Sequence, residues 1–271
     1  MTRTVVYTAQ FGDYDPIMPV LESTPGVEHL VLSDRTFRVP RPWRVHTVQL
    51  PEGLPNDRLR NRWCKLHASR LLADYDRSVY VDAHLQLIGD LTPLLDGFAG
   101  SGAPVGLMRH PHSRTIDEEI ERSLRTGRIT RRDHDLNWPE QRARYRAAGF
   151  PADEGVMLGW VVLRDHRRQE VASFEGLWWD ELLGGVTRDQ VALPFVLWRL
   201  GISPWPLPLD WSLTPYFRHW KHLRGSDRMG RLHRWFDARV ARRPQYRWVL
   251  RALRPGAAFH AFRARMSDGP G

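Results

Sequence analysis

Residues 75–87 read YDRSVYVDAHLQL, and this stretch decides the fold expected for the chain. Its apolar centre predicts a buried β-strand that ends at Asp82. Side chains two positions apart in an extended segment point to the same face, so Asp82 and His84 can bind one divalent cation together. From this segment alone, a solvated Asp at a strand end is the simpler interpretation, and the metal site is the alternative.

The composition indicates a folded protein with anionic partners. A chain of 271 residues with 42% hydrophobic residues can bury a sizeable core. Cys64 is the single cysteine, which excludes an internal disulfide and fits a reducing compartment. No apolar run has the length of a signal-peptide core or of a membrane span, so we expect a cytoplasmic protein. The net charge of +9 would attract nucleic acid, phosphorylated substrates and lipid headgroups alike.

The first third of the chain predicts a parallel sheet. Residues 5–8 and 29–34 are short β-rich runs. Residues 57–74 repeat apolar side chains at helical spacing, with Asn56 as the capping residue. The strand at 78–82 follows at once, and this strand–helix–strand order implies parallel strands joined by right-handed crossovers.

A parallel sheet brings the ends of its strands together at one edge. Ligands of such sheets bind at the carboxyl ends of the strands. Thr8, Asp34 and Asp82 follow or end three of the predicted strands. The sequence therefore predicts that these three polar residues converge on one crevice.

The middle of the chain predicts further alternation. Residues 105–109 read as a further strand, and residues 155–164 as a buried strand or strand pair. Residues 115–125 and 188–200 read as helices. Asp189 lies in the first turn of the last helix, where an acid favours the helix dipole whatever its other role.

Several short motifs occur in an order that resembles a known family. The resemblance spans roughly residues 5–208. Its motifs are VYTAQFGDYD at 6–15, LSD at 32–34, RWCK at 62–65, YDRSVYVDAH at 75–84, RHP at 109–111, EE at 118–119, WW at 178–179 and RDQ at 188–190. The chain resembles a glycosyltransferase-like group that was long catalogued as a domain of unknown function and includes plant Golgi proteins of mucilage polysaccharide synthesis. It is also distantly similar to the glycogenin and galactosyltransferase group, in GVML at 155–158 and in Asp189-Gln190.

The resemblance implies a GT-A fold over residues 1–215, an α/β domain with a mainly parallel central sheet flanked by helices. It implies a nucleoside-diphosphate sugar as donor, a hydroxyl-bearing acceptor and a divalent cation, Mn²⁺ or Mg²⁺, at the strand-end motif. The chain departs from these relatives at His84, which stands in place of the second aspartate. An imidazole can bind Mn²⁺ but supplies no negative charge, so the dependence on metal stays open.

Donor-binding roles follow for the strand-end and helix residues. Asp34 can accept hydrogen bonds from uracil or ribose, or simply form a turn. Arg62 and Lys65 lie three apart on one helical face and can pair with the diphosphate, or be solvated charges. The donor-binding set predicted with them is Thr8, Asp34, Arg62, Lys65, Asp82, His84 and Gln190.

The metal and catalytic roles rest on the same resemblance. Asp82 and His84 are the predicted metal ligands, and a late histidine, His219 or His222, completes the shell in the relatives. If the enzyme inverts the configuration, a carboxylate takes the acceptor proton. Asp189 is the first candidate, and Glu118 or Glu119 the second. If it retains the configuration, Asp189 binds or orients the sugar.

Residues 216–271 predict a separate basic helical segment. Aromatic and aliphatic residues alternate there with many arginines, interrupted at Pro244 and Pro255. We expect this segment either to contact an anionic membrane surface or a phosphorylated lipid-linked acceptor, or to pack on the domain with its arginines in water.

A non-catalytic protein that binds glycans or nucleic acid is the alternative function. Basic charge interleaved with tryptophan can bind phosphates and stack on bases. The aromatic residues lie in apolar periodic runs rather than in a nucleic-acid motif, so we expect no nucleic-acid partner.

Overall fold

A computed structural model describes residues 2–12, 17–209 and 214–219 of the chain. The strands in these residues are β1 (Thr4–Ala9), β2 (Val27–Ser33), β3 (Arg44–Thr47), β4 (Arg77–Val81), β5 (Leu85–Leu87), β6 (Val105–Arg109), β7 (Met157–Asp165), β8 (Trp205–Pro206) and β9 (Phe217–His219). The helices are α1 (Asp57–Leu66), α2 (Ala68–Leu71), α3 (Thr92–Ser101), α4 (Ile116–Arg125), α5 (Arg131–Ala147), α6 (Gln169–Leu183) and α7 (Asp189–Arg199).

The central sheet has the strand order β3-β2-β1-β4-β7-β6-β8. The strands β1, β2, β3 and β4 pair in parallel, as do β6 and β8. Only β7 is antiparallel to its neighbours β4 and β6. A second small sheet pairs β5 with β9. The predicted α/β class with a mainly parallel central sheet is confirmed.

Alternate residues of the strands point to opposite faces of the sheet, and each face is covered by a different layer. Tyr7 and Leu32 belong to a core shared with α1, α2, α6 and α7. Val6 and Val31 point the other way, into a core shared with α3 and the small sheet. Strands that are buried on both faces read as continuous apolar runs, which is why β1, β2 and β4 are legible in the sequence.

Helices α4 and α5 form a hairpin that packs on α7 through an apolar cluster of its own. Ile120 of α4, Trp138 and Tyr145 of α5 and Phe195 of α7 meet in this cluster. The Tyr145 and Phe195 rings stack with their centroids 3.9 Å apart. The turn between α4 and α5 is thereby held against the body of the domain.

The prediction of a single helix over residues 57–74 is wrong in one respect, because the structure has two helices there, α1 and α2. Its start is confirmed: the Leu59 amide donates a hydrogen bond of 2.9 Å to the Asn56 side chain. The helix ends at Leu66, since the backbone of His67 leaves the helical region with φ −133° and ψ 39°. A short helix, α2, follows.

The predicted boundary at residue 215 falls next to a strand that still belongs to the domain. Phe217 in β9 pairs with Leu87 in β5, so the chain remains attached to the domain as far as His219. The rest of the predicted basic segment lies outside the described residues, and its contact with an anionic membrane stays a prediction. Within residues 2–12, 17–209 and 214–219, no helix is both long enough and apolar enough to cross a bilayer.

Candidate functional site

A cavity of about 690 Å³ opens where β1 and β4 end. Ala9 is the last residue of β1, and Asp82 directly follows β4. The other walls come from α1, the α4–α5 turn, β7, the residue before α7, and β9. The lining residues are Ala9, Gln10, Phe11, Asp57, Arg58, Asn61, Arg62, Tyr80, Asp82, Ala83, His84, Thr126, Gly127, Arg128, Trp160, Arg188 and His219.

One end of the cavity gathers a carboxylate and two imidazoles. The Tyr80 hydroxyl donates a hydrogen bond of 2.7 Å to Asp82 Oδ1, which fixes the carboxylate. Asp82 Oδ2 lies 3.9 Å from His84 Nδ1. The ring of His219 lies 5.0 Å from that of His84 and stacks on Trp160 at 5.2 Å. We call Asp82, His84 and His219 the Asp82 end.

Four arginines line the cavity as well, and we call Arg58, Arg62, Arg128 and Arg188 the arginine cluster. Partial desolvation by the surrounding protein lowers the pKa of Arg58, and the charge of Arg62 lowers it further. Part of the Arg58 side chain still reaches solvent. Burial likewise lowers the pKa of Arg128, with a further contribution from Arg188. Like charges are therefore concentrated here, as an anionic ligand requires.

Buried carboxylates stand behind two members of the arginine cluster. Asp189 lies 3.6 Å from the Arg62 guanidinium and 2.5 Å from the Lys65 ammonium. Glu119 lies 3.0 Å from the Arg188 guanidinium. Each carboxylate is almost completely enclosed, so the pairs are screened little by water.

The Lys65–Asp189 pair is buried beneath the cavity rather than in it. The Lys65 side chain is 1% exposed and that of Asp189 2%. Burial alone would raise the pKa of Asp189, but the charges of Arg62, Lys65 and Arg188 outweigh it and hold the pKa well below its usual value. Burial lowers the pKa of Lys65, and the attraction of Asp189 offsets this in part. Gly159 in β7 makes room for the pair, since a Cβ there would lie 2.7 Å from Lys65 Nζ.

Glu119 is the centre of a second buried network. It accepts hydrogen bonds from the hydroxyls of Ser113 (2.9 Å) and Ser123 (3.0 Å). His110 Nε2 lies 3.2 Å from it. Burial lowers the pKa of His110 to about 4. The imidazole is therefore neutral at pH 7, accepts from the Ser113 amide at Nδ1 and donates to Glu119 at Nε2.

The described residues of the Asp82 end supply only part of the ligands that a divalent cation needs. In residues 2–12, 17–209 and 214–219, no three His, Cys, Asp or Glu side chains gather closely enough to hold a metal ion. Asp82 and His84 are nevertheless near enough to share one, since their atoms are separated by less than twice a metal–oxygen distance of about 2.1 Å. Ions such as Mg²⁺ are commonly bound by one or two carboxylates together with substrate phosphates.

Of the residues predicted from sequence, the cavity gathers Arg62, Asp82, His84 and His219. His222 lies outside the described residues. The other predicted residues do not line the cavity. Of the three residues expected to converge on one crevice, Thr8, Asp34 and Asp82, only Asp82 lines it. This second group consists of Thr8, Asp34, Lys65, Glu118, Glu119, Asp189 and Gln190. Their roles stay predictions.

The residues outside the cavity have distinct surroundings. Thr8 is buried within β1, and its hydroxyl makes no hydrogen bond to the described residues. Asp34 lies beyond β2, 3.6 Å from Arg60. Gln190 is buried and accepts a hydrogen bond from Arg188. Glu118 accepts a hydrogen bond of 2.6 Å from the Arg114 amide.

Sequence reasoning did not assign Arg58, Arg128, Arg188 or Trp160 to the site. Arg58 lies at the start of one helix and Arg128 in a turn, each close to other arginines in the sequence, and solvated charge is the usual interpretation there. Arg188 gave a weak signal, because it directly precedes Asp189-Gln190. Trp160 follows the GVML run, and only the folded structure shows that its ring meets the His84 ring edge-on at 5.0 Å.

Comparisons with known proteins give a family and a structural likeness. The family described as TOD1/MUCI70, glycosyltransferase-like domain, matches residues 29–209. No curated protein sequence matches the chain. Among solved structures, the apo form of mouse xyloside xylosyltransferase 1 is similar with a TM-score of 0.41 and 10% identity. That similarity covers 73% of this chain and 82% of the other.

Proposed function

Since the chain belongs to the TOD1/MUCI70 glycosyltransferase-like domain family, we propose that it is an enzyme that transfers a sugar from a nucleoside-diphosphate sugar to a hydroxyl group of an acceptor. The observation that carries this proposal is the cavity at the ends of β1 and β4, where Asp82, His84 and Arg62 line one space. Ligands of parallel sheets bind at this edge. A diphosphate needs cationic partners, and the cavity supplies them.

Arg62 is the residue that contacts the diphosphate in this proposal. Negative charge grows on the diphosphate as its bond to the anomeric carbon breaks, and a fixed guanidinium stabilises that charge in the transition state. Asp189 holds Arg62 from behind at 3.6 Å. Lys65, which the sequence suggested as a second diphosphate ligand, is enclosed beside Asp189 and acts through it.

Asp82 and His84 would hold a divalent cation, with His219 beside them. When bound, such a cation supplies positive charge that neutralises the leaving diphosphate. The donor set of one carboxylate and imidazoles suits Mn²⁺ better than Mg²⁺, because imidazole is the softer ligand. The Tyr80 hydrogen bond keeps Asp82 in place for this task.

The geometry favours a positioning role for Asp189 over the role of proton acceptor. A carboxylate whose pKa lies far below its usual value is a poor base. Asp189 is also enclosed between Lys65 and Arg62, away from the cavity space. Among the described residues, the carboxylates that line the cavity are Asp57 and Asp82.

Nucleotide binding tests this function directly. Thermal shift with UDP, GDP and the other nucleoside diphosphates, with and without Mn²⁺, should show stabilisation by one nucleotide and none by oligonucleotides. The corresponding nucleotide sugars should then be hydrolysed or transferred. We expect Asp82→Asn to lower kcat/KM at least roughly a hundredfold, as for loss of one preorganised electrostatic partner.

Asp74→Asn is the matched control, because Asp74 is an exposed acid just before the same strand and does not line the cavity. It should leave turnover unchanged. Turnover by Asp82→Asn equal to that of the wild type, with the fold retained, would contradict the proposal. Stabilisation by oligonucleotides instead of nucleotides would favour the binding protein.

A further inference from the structure

We propose that a substrate of this cavity carries a second acidic group, a carboxylate or a phosphate, that binds at Arg58 and Arg128. The inference rests on the proposed function, in which the diphosphate is held by Arg62 and the Asp82 end. It adds a substrate class, since either the transferred sugar or the acceptor must be acidic.

The observation behind this inference is that only two of the four arginines in the cluster lie against a carboxylate of the described residues. Arg62 has Asp189 behind it, and Arg188 has Glu119. Arg58 donates a hydrogen bond of 2.6 Å to the Thr187 carbonyl. Among the described residues, neither Arg58 nor Arg128 forms an ion pair with any carboxylate. Arg62 and Arg188 therefore each have a carboxylate of the protein against them, whereas Arg58 and Arg128 have none among the described residues.

Gathering guanidinium groups in one cavity is unfavourable without compensating charge. The charges of Arg62 and Arg188 repel Arg58, and those of Arg188 and Arg122 repel Arg128. Asp189 offsets part of this repulsion at both, together with Asp133 at Arg58 and Glu119 at Arg128. Arginine is the side chain best suited to bidentate binding of carboxylate and phosphate. An acidic group of the substrate would remove the repulsion that the protein leaves in place.

The diphosphate does not account for both unpaired arginines. Its two negative charges are matched by Arg62 and the cation proposed at Asp82 and His84. Asp82 distinguishes the two regions, because its charge acts on Tyr80 and Lys65. The charge that acts most strongly on Arg58 is that of Arg62, and on Arg128 it is that of Arg188. Asp82 is not a principal charge for either of them.

The two arginines come from different elements that meet at the cavity. Arg58 lies in the first turn of α1, and Arg128 lies in the turn between α4 and α5, next to Gly127 with φ +65°. Buried contacts hold this turn, since the α4–α5 hairpin is anchored on α7. The acidic group is thus held between the sheet side of the domain and the helical hairpin.

Matched neutral and acidic ligands test the inference in two arms. In the donor arm, isothermal titration compares UDP-glucose with UDP-glucuronate and GDP-mannose with GDP-mannuronate. In the acceptor arm, protein saturated with UDP or GDP is titrated with glucose, glucuronate and glucose 6-phosphate. In one arm, we expect the acidic ligand to bind roughly tenfold more tightly than its neutral twin, as for one charge-assisted hydrogen-bonded pair.

The variants are Arg58→Gln, Arg128→Gln and the double variant, with Arg60→Gln as the control. Arg60 is the arginine of α1 that pairs with Asp34 and Asp57 and does not line the cavity. The double variant should bind acidic and neutral twins alike, while its affinity for UDP or GDP stays within about twofold of the wild type. The Arg60→Gln variant should keep the preference.

Two results would overturn the inference and leave the proposed function intact. One is nucleotide binding with equal affinity for acidic and neutral twins in both arms. The other is an equal loss of affinity for the nucleotide itself in the double variant, which would assign Arg58 and Arg128 to the diphosphate. Failure of every nucleotide to bind would overturn the proposed function, and this inference with it.

Discussion

At the scale of single residues, the buried ion pair of Lys65 and Asp189 is the feature on which the site rests. The two groups are 2.5 Å apart and almost fully enclosed. Removing one partner of a buried pair leaves an uncompensated charge, so we expect Lys65→Met to lower the free energy of unfolding by about 3–5 kcal/mol. Urea denaturation followed by fluorescence measures the change.

The double variant Lys65→Met/Asp189→Asn should recover part of that loss, because both charges are then absent. The control is Glu170→Gln, which breaks the exposed pair with Arg168 and should leave the free energy of unfolding close to that of the wild type. Equal effects of Lys65→Met and Glu170→Gln would show that the Lys65–Asp189 pair contributes nothing.

The sequence predicts the residues at the end of β4 better than those on the helices. Asp82 and His84 could be found because a strand end has a fixed direction and an alternating pattern. Helical spacing located Arg62 and Lys65 on one face but did not show that β7 would leave space for Lys65 beneath the cavity. Only the packing of Gly159 against Lys65 reveals this difference.

At the scale of elements, the contacts that fasten the α4–α5 hairpin to α7 shape the cavity. Glu119 of α4 binds Arg188, which precedes α7, and Asp133 of α5 accepts a hydrogen bond of 2.9 Å from the Thr187 hydroxyl. Glu119 does not line the cavity, so it acts on a ligand through arginines that do: through Arg188 by direct contact and through Arg128 by its charge. We therefore assign it a positioning role.

The Glu119→Gln variant should raise the KM for the nucleotide sugar roughly tenfold and change kcat less, because a charge-assisted pair that orients Arg188 is lost. Steady-state kinetics separates the two constants. Glu121→Gln, an exposed residue on the same helix, should leave both unchanged. A fall in kcat with KM unchanged would contradict the positioning role.

Elements with local signals were predictable, and those defined by long-range packing were not. The Asn56 cap, the apolar run of β4 and the periodicity of α7 each lie within a few residues of sequence. The break at His67 coincides with long-range packing on α6, where the His67 ring meets the Trp179 ring edge-on at 5.5 Å. The antiparallel placement of β7 between β4 and β6 pairs residues about eighty positions apart, as in Val79 with Leu163.

At the scale of the whole molecule, both faces of the sheet are covered and buried polar groups are distributed through several regions. His29 in β2 packs edge-on against Trp43, and His166 contacts the Ser78 hydroxyl at 2.8 Å. His110 belongs to the Glu119 network. Burial lowers the pKa of each of these histidines to about 4. All three are therefore neutral in the folded protein at pH 7.

This arrangement predicts that acid destabilises the fold before most carboxylates titrate. Between pH values of about 6.5 and 4, the unfolded chain binds protons at these histidines that the folded chain does not. Because the unfolded state then binds more protons, the free energy of unfolding falls as the pH falls through this window. His29 alone should contribute on the order of 1–3 kcal/mol to the loss.

Urea denaturation at pH 7.5, 5.5 and 4.5 measures this loss, and substitution of one histidine assigns it. The His29→Gln variant should be less stable at pH 7.5, since a packed ring is lost, yet its stability should fall less steeply toward pH 4.5 than that of the wild type. The change of stability with pH measures proton binding at His29, whereas the stability at pH 7.5 measures the loss of packing. The two effects are therefore separable. His46→Gln, at an exposed position of β3, should keep the wild-type slope. Stability that is constant or rises between pH 6.5 and 4.5 would mean that these histidines accept protons inside the folded protein.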